Sequence, residues 1–164
     1  MPGRPVPGAR RRLRGTRQPR LTPEMSEDDR VDPFLLPAPA SATGSFRYVF
    51  EHLATTIAAE PSSYDALSPD QHIVLALGTL RRDVSADGFG GYLGNVGRDR
   101  ALDAQAAASL IGHAWQVLIS AAVDRDPSDD FRDLDSVFAD LEDDQSVDAV
   151  LDEYVWATRD AFFG

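Results

Sequence analysis

An all-α fold, a compact multi-helix domain behind a disordered basic N-terminal arm, is what this 164-residue sequence predicts. Three observations carry the prediction. Apolar residues recur at i, i+3, i+4 and i+7 through most of residues 45–162, the spacing that lines one face of a helix. Ser68-Pro69-Asp70-Gln71 reads as a helix start, with an N-cap serine, proline at the first helical position and a glutamine placed to close a capping box. In residues 133–142 carboxylates are threaded between apolar residues at the same helical period, which distinguishes a folded acidic body from a solvated acidic tail.

Taken in order, residues 1–42 are rich in Pro, Gly, Arg and Ser and lack apolar periodicity, so they are expected to be disordered, with the folded domain over 43–164. Residues 1–24 hold seven arginines and one acid, Glu24, and the charge changes sign at Met25. A start of translation at Met25 is favoured over an arm that touches nucleic acid. No apolar stretch of a secretory signal follows the basic residues. Phe46, Val49, Phe50, Leu53 and Ile57 predict the first helix, which Pro61 ends. The capping box opens a second helix through Ile73, Leu77, Leu80 and Val84, although residues 73–77 alone fit a short buried strand equally well. The glycines from Gly88 to Gly97 are expected to interrupt it. A long Ala-rich helix follows over about residues 99–123, with Leu110, Ile111, Ala114, Trp115, Leu118 and Ala122 inward. A short acidic helix turns Leu134, Val137, Phe138 and Leu141 to the core. The last helix, residues 147–162, carries the stripe Val147, Val150, Leu151, Tyr154, Thr158 and Phe162.

Charge divides the chain sharply. Residues 25–164 hold 26 acids against nine arginines, a net of −17, and the stretch 124–160 alone holds fourteen acids against three arginines. Such a body repels nucleic-acid backbones and anionic membranes and attracts basic partners. Direct nucleic-acid binding and membrane association are therefore not expected of the domain. All sixteen basic residues are arginine, and with abundant Ala, Asp, Gly and Pro this is the usage of a GC-rich, bacterial genome. Cysteine is absent, which removes disulfides and thiolate metal sites and fits the reducing cytoplasm expected for it.

Motifs for chemistry are weak. The cluster from Asp87 to Gly97 matches neither the dinucleotide fingerprint nor a P-loop, and no lysine exists to reach a phosphate. His52, His72 and His113 are isolated, and His113 beside Trp115 reads as a hydrogen-bonded core residue. The run Asp124–Asp130 lacks the glycine and terminal glutamate of a calcium loop. No cysteine or elbow-type serine offers a nucleophile. No catalytic, cofactor-binding or metal-ligating residue is assigned, and no enzyme activity is expected. The alternative is a small enzyme or metal-binding domain using the Gly88–Gly97 cleft.

The glycine cluster and its flanks resemble the bacterial DNA-mimic protein family, small acidic all-helical proteins with the signature Glu-Val-Asn-Asn-Gly-Gly-Phe followed by Gln-Tyr-Phe-x-Asn. Asp83 and Val84 stand at the glutamate and valine, Gly88-Phe89 at the second glycine and phenylalanine, and Tyr92 and Asn95 at the tyrosine and last asparagine. Upstream, Tyr64-Asp65-Ala66-Leu67-Ser68 is similar to the family's lead-in, and downstream Ile111-Gly112 falls where the family has Ile-Gly. Ser85, Ala86 and Asp87 replace the Asn-Asn-Gly part, and Gly91 the glutamine. The expected roles at the signature are structural: Phe89 and Tyr92 anchor a turn in the core while Asn95 satisfies backbone groups at a helix end.

The resemblance implies an acidic protein that occupies the DNA-binding surface of a regulator. Duplex DNA carries a negative charge every ~1.7 Å of axis, and helix neighbours four apart lie about 5–6 Å apart at Cβ, close to the spacing of successive phosphates. The expected partner-binding residues are Asp133, Asp135, Asp140, Glu142, Asp143, Asp144, Asp148 and Asp152. Of these, Asp140, Asp144, Asp148 and Asp152 would form one row if the last two helices were nearly continuous. The expected partner is a basic protein, a DNA-binding regulator foremost. An immunity-type protein that blocks a basic toxin uses the same charge logic. The sequence does not fix the oligomeric state, and a homodimer is compatible with it.

Overall fold

In the computed structural model, which describes residues 34–164, one long helical run organises everything else. Five α-helices are present among the described residues: α1 (Ser45–Ala59), α2 (Pro69–Ala107), α3 (His113–Asp124), α4 (Arg132–Asp144) and α5 (Val147–Ala157). Two short 3-10 turns, Pro61–Ala66 and Ala108–Leu110, join α1 to α2 and α2 to α3, and a third, Arg159–Ala161, follows α5. The all-α prediction holds, and residues 73–77 are helical. The capping box forms as read: Gln71 N donates to Ser68 Oγ at 3.3 Å and Ser68 N to Gln71 Oε1 at 2.9 Å. Gln71 also reaches the other end of the chain, donating from Nε2 to the carbonyl of Ala161 at 3.1 Å.

Helix α2 packs against α1, α3, α4 and α5, while α1 lies on α5 and α3 on α4. Leu53 of α1, Leu77, Leu80 and Phe89 of α2, Trp115 and Ile119 of α3, and Leu151 of α5 are fully buried between them. Where α1 crosses α2, Gly78 presents no side chain, and a Cβ there would stand 2.3 Å from the Phe50 ring. The glycine sets how closely the two helices approach. Among the described residues no helix is long and apolar enough to cross a membrane.

Several expected boundaries move. The interruption expected at the glycine cluster is present, as two breaks in α2 that bracket a short helical stretch. Helical backbone persists through residues 89–96, and only Gly88 (φ 70, ψ 179) and Gly97 (φ 76, ψ 164) leave it. Both conformations are closed to most L-residues. The expected single helix over 99–123 is instead two pieces, the end of α2 and α3, separated by the 3-10 turn and by Gly112 at φ 142. The change of direction there leaves Leu110 and Ala114 exposed, where the single-helix reading had turned them inward, and it places His113 exposed at the start of α3. In α4, Leu134 and Phe138 are buried but Val137 is 44% exposed, so the core-facing stripe is narrower than expected.

The packed body also begins ahead of residue 43. Phe34 is buried, and Leu36 pairs with Phe163 in a single parallel bridge, with Leu36 N donating to Phe162 O at 2.8 Å and Gly164 N to Leu36 O at 3.1 Å. Phe34-Leu35-Leu36 is too short to show a period, and its partner lies at the far end of the chain. The remainder of the expected arm, residues 1–33 with Met25, lies outside the described residues.

Candidate acidic interface

The acids grouped by the sequence into one set separate, in space, into those that hold the fold together and those that face solvent. Asp135 belongs to the first kind. Its Oδ1 accepts from Phe89 N at 2.8 Å, the amide set free where Gly88 breaks α2. A Cβ at Gly88 would come within 2.6 Å of Asp135 Oδ2. The break in one helix is thus satisfied by a carboxylate from the first turn of another.

Asp152 does the same for α1. Gly44 N donates to its Oδ2 at 2.7 Å and Phe46 N to its Oδ1 at 2.8 Å, so a negative group from α5 sits on the positive end of α1. Asp148 faces Arg81, the two buried atoms 3.1 Å apart as an ion pair out of hydrogen-bond alignment, with Arg47 at 3.7 Å on its other oxygen. Glu142 accepts from Val147 N at 3.3 Å at the start of α5, and burial pushes its carboxyl above the usual range. The row Asp140, Asp144, Asp148, Asp152 is therefore broken. Helix α4 ends at Asp144, Gln145 (φ −148, ψ 100) and Ser146 are extended, and the half of the row on α5 is engaged inside the molecule.

The solvent-facing set lies on α4. Asp133, Asp140, Asp143 and Asp144 are exposed, with Val137 between them. Arg125 holds Asp133 in a two-pronged contact, Nη2 to Oδ2 at 2.8 Å, which keeps its carboxyl down at about 2. Asp140, Asp143 and Asp144 have no cation partner among the described residues, and the last turn of α4 contains no basic residue. Like charges three and four apart repel, and the C-terminal end of a helix is already negative. Stability alone would place arginine here. The helix itself is firmly seated: Phe138 meets the rings of Trp115 (5.2 Å) and Phe89 (5.9 Å) edge-on.

The loop before α4 extends this face. Asp124, Asp126, Asp129 and Asp130 are all exposed. In the sequence this run counts toward the acidic stretch 124–160 and falls short of a calcium loop. Its local work is turn chemistry, with Asp126 accepting from Ser128 N at 2.9 Å and Asp130 from Arg132 N at 3.0 Å. Among the described residues no group of three or more His, Asp or Glu is placed to hold a metal ion.

The signature residues divide as well. Phe89 and Tyr92 are core, as expected, and Asp83 is buried beside Arg82, with Nε to Oδ1 at 2.7 Å. Asn95 departs from its expected role: its side chain is exposed, makes no hydrogen bond among the described residues, and lines a cavity between α1 and α2. The helical stretch that holds it ends at Gly97, two residues on, but the exposed side chain caps none of the backbone groups there.

Comparison with known proteins gives one family. A family model described as DMP19-like protein matches residues 65–162, more than half of the chain. Neither the curated proteins nor the solved structures returned a match.

Proposed function

Because the chain belongs to the DMP19-like protein family, we propose that it is a DNA mimic, a binding protein rather than an enzyme, whose acidic face occupies the basic DNA-binding surface of a cytoplasmic regulator. The family, a DNA-mimic family, is compatible with this role. The observation that carries it is the placement of Asp140, Asp143 and Asp144, which are exposed, without a cation among the described residues, mutually repelling and set at the negative end of α4. Charges that cost the fold stability and serve nothing within it are suited to a partner. DNA-binding proteins meet phosphates with Arg and Lys, and a face held by Phe138, Asp135 and Arg125 offers them carboxylates already in position. Val137, exposed among these acids, supplies an apolar contact inside a polar rim.

The test is capture and displacement. The full chain is immobilised, lysate is passed over it at low salt, and the retained protein is identified and then challenged with duplex DNA. A retained DNA-binding protein that duplex DNA displaces supports the reading. A retained basic protein that DNA does not displace overturns it and favours the toxin-inhibitor role.

A further inference from the structure

The cavity between α1 and α2 is a second place where charge departs from the rest of the molecule. It measures about 600 Å³ and is bounded by the C-terminal half of α1, the 3-10 turn after it, and α2. That volume lies within the ~300–1,000 Å³ typical of small-ligand pockets. Ile57, Leu75 and Val96 contribute an apolar lining. In a body with a net charge of −17, the charged residues of this lining are Arg82, Arg100 and Asp83, two cations to one acid.

Their engagements differ. Arg82 and Asp83 neutralise each other at 2.7 Å. Arg100 lies over the Tyr64 ring, 4.5 Å from its centroid, and has no carboxylate partner among the described residues, while Asp103 accepts from the Tyr64 hydroxyl at 2.6 Å. Two neutral polar groups, the Tyr92 hydroxyl and the Asn95 amide, line the same cavity without hydrogen bonds to the described residues. Burial and the neighbouring Asp83 hold Tyr92 protonated, which leaves its hydroxyl a donor. A partly apolar lining with two donors that lack hydrogen bonds among the described residues, beside a guanidinium held only by an aromatic face, is complementary to an acceptor group carrying a single negative charge on an apolar tail. An amine would find the only carboxylate in the lining already paired.

We propose that this cavity binds a small amphiphilic monocarboxylate, its head group met by Arg100, Asn95 and Tyr92 and its apolar tail held among Ile57, Leu75 and Val96. This stands independently of the acidic face.

Octanoate is the probe, titrated calorimetrically into the full chain, with octanol and octylamine as controls. Saturable binding at one site per chain is expected, tighter for octanoate than for either control. Arg100→Gln removes a charged donor at an exposed position and should weaken octanoate about tenfold or more while leaving octanol unchanged. Ala58→Phe, at an exposed residue on the cavity's edge, should weaken both. The proposal is overturned if octanoate does not saturate, if octylamine binds as tightly, or if either substitution leaves octanoate affinity unchanged in a chain whose melting temperature is preserved.

Discussion

Gly88 and Asp135 act as one unit, each explaining the other. The glycine adopts φ 70 with ψ 179, which frees the amide of Phe89, and Asp135 takes that amide at 2.8 Å with no room for a Cβ between them. Gly88→Ala should cost roughly 2–4 kcal/mol, from backbone strain together with displacement of the carboxylate. Asp135→Ala should cost about 1–2 kcal/mol as a lost cap. In urea unfolding the double variant should cost clearly less than the sum, because the residues share one interaction. Full additivity would show that the two are independent. Tyr64 offers a titration at the same scale. Burial first, and then its bond to Asp103, push the Tyr64 hydroxyl up to about 12. The folded state therefore favours the neutral phenol. That stabilisation is fully present below the ordinary tyrosine value of about 10 and is lost as the pH rises through about 12. Tyr64→Phe should be less stable at neutral pH and should lose stability less steeply across that alkaline window. An unchanged alkaline slope would place the titration elsewhere.

At the scale of elements, carboxylates from one helix tie down the ends of others. Asp152→Ala should free the amides of Gly44 and Phe46 at the start of α1 and cost about 1–2 kcal/mol. Hydrogen exchange should rise first in the opening turn of α1, and unchanged protection there would contradict the assigned role. Such ties explain what the sequence could and could not reveal. The start of α2 was legible because Ser68 and Gln71 are three residues apart and their reciprocal bonds are local. The same holds for the buried stripe of α1, which is a matter of period alone. The jobs of Asp135 and Asp152 were not legible, since their partners lie 46 and 106 residues away, and exposed-looking acids at helical spacing read identically whether they cap a distant helix or face water. The break at Gly112 was missed for a different reason: alanine-rich sequence satisfies a helical period in almost any register. The glycine cluster was legible as an interruption, but which of its glycines would break the helix, Gly88 and Gly97, was not. Glycine permits a turn without imposing one, and helical backbone persists through residues 89–96.

For the whole molecule, the division between working and free acids separates a mimic from a merely acidic protein. Asp140, Asp143 and Asp144 should be replaceable by asparagine at no cost to the fold. Each like-charge pair at three or four residues is unfavourable by ~0.2–0.5 kcal/mol, so the triple variant should unfold at equal or slightly higher urea. Asp148→Asn should be destabilising instead, because it leaves Arg81 without its counter-charge. Binding of the captured regulator should show the reverse order, with the triple variant weakened strongly and Asp148→Asn affected only as far as its stability falls. Salt provides the second axis. Exposed charges are screened beyond about 10 Å at 0.1 M salt, so the parent chain should lose affinity steeply as salt rises, chiefly through a slower on-rate. The triple variant should show a shallower dependence because fewer charges take part. Measuring association rates for both chains at two salt concentrations distinguishes the cases. If the triple variant binds as tightly and as salt-dependently as its parent, the α4 acids are ordinary solvated surface, and the partner must recognise some other part of the protein.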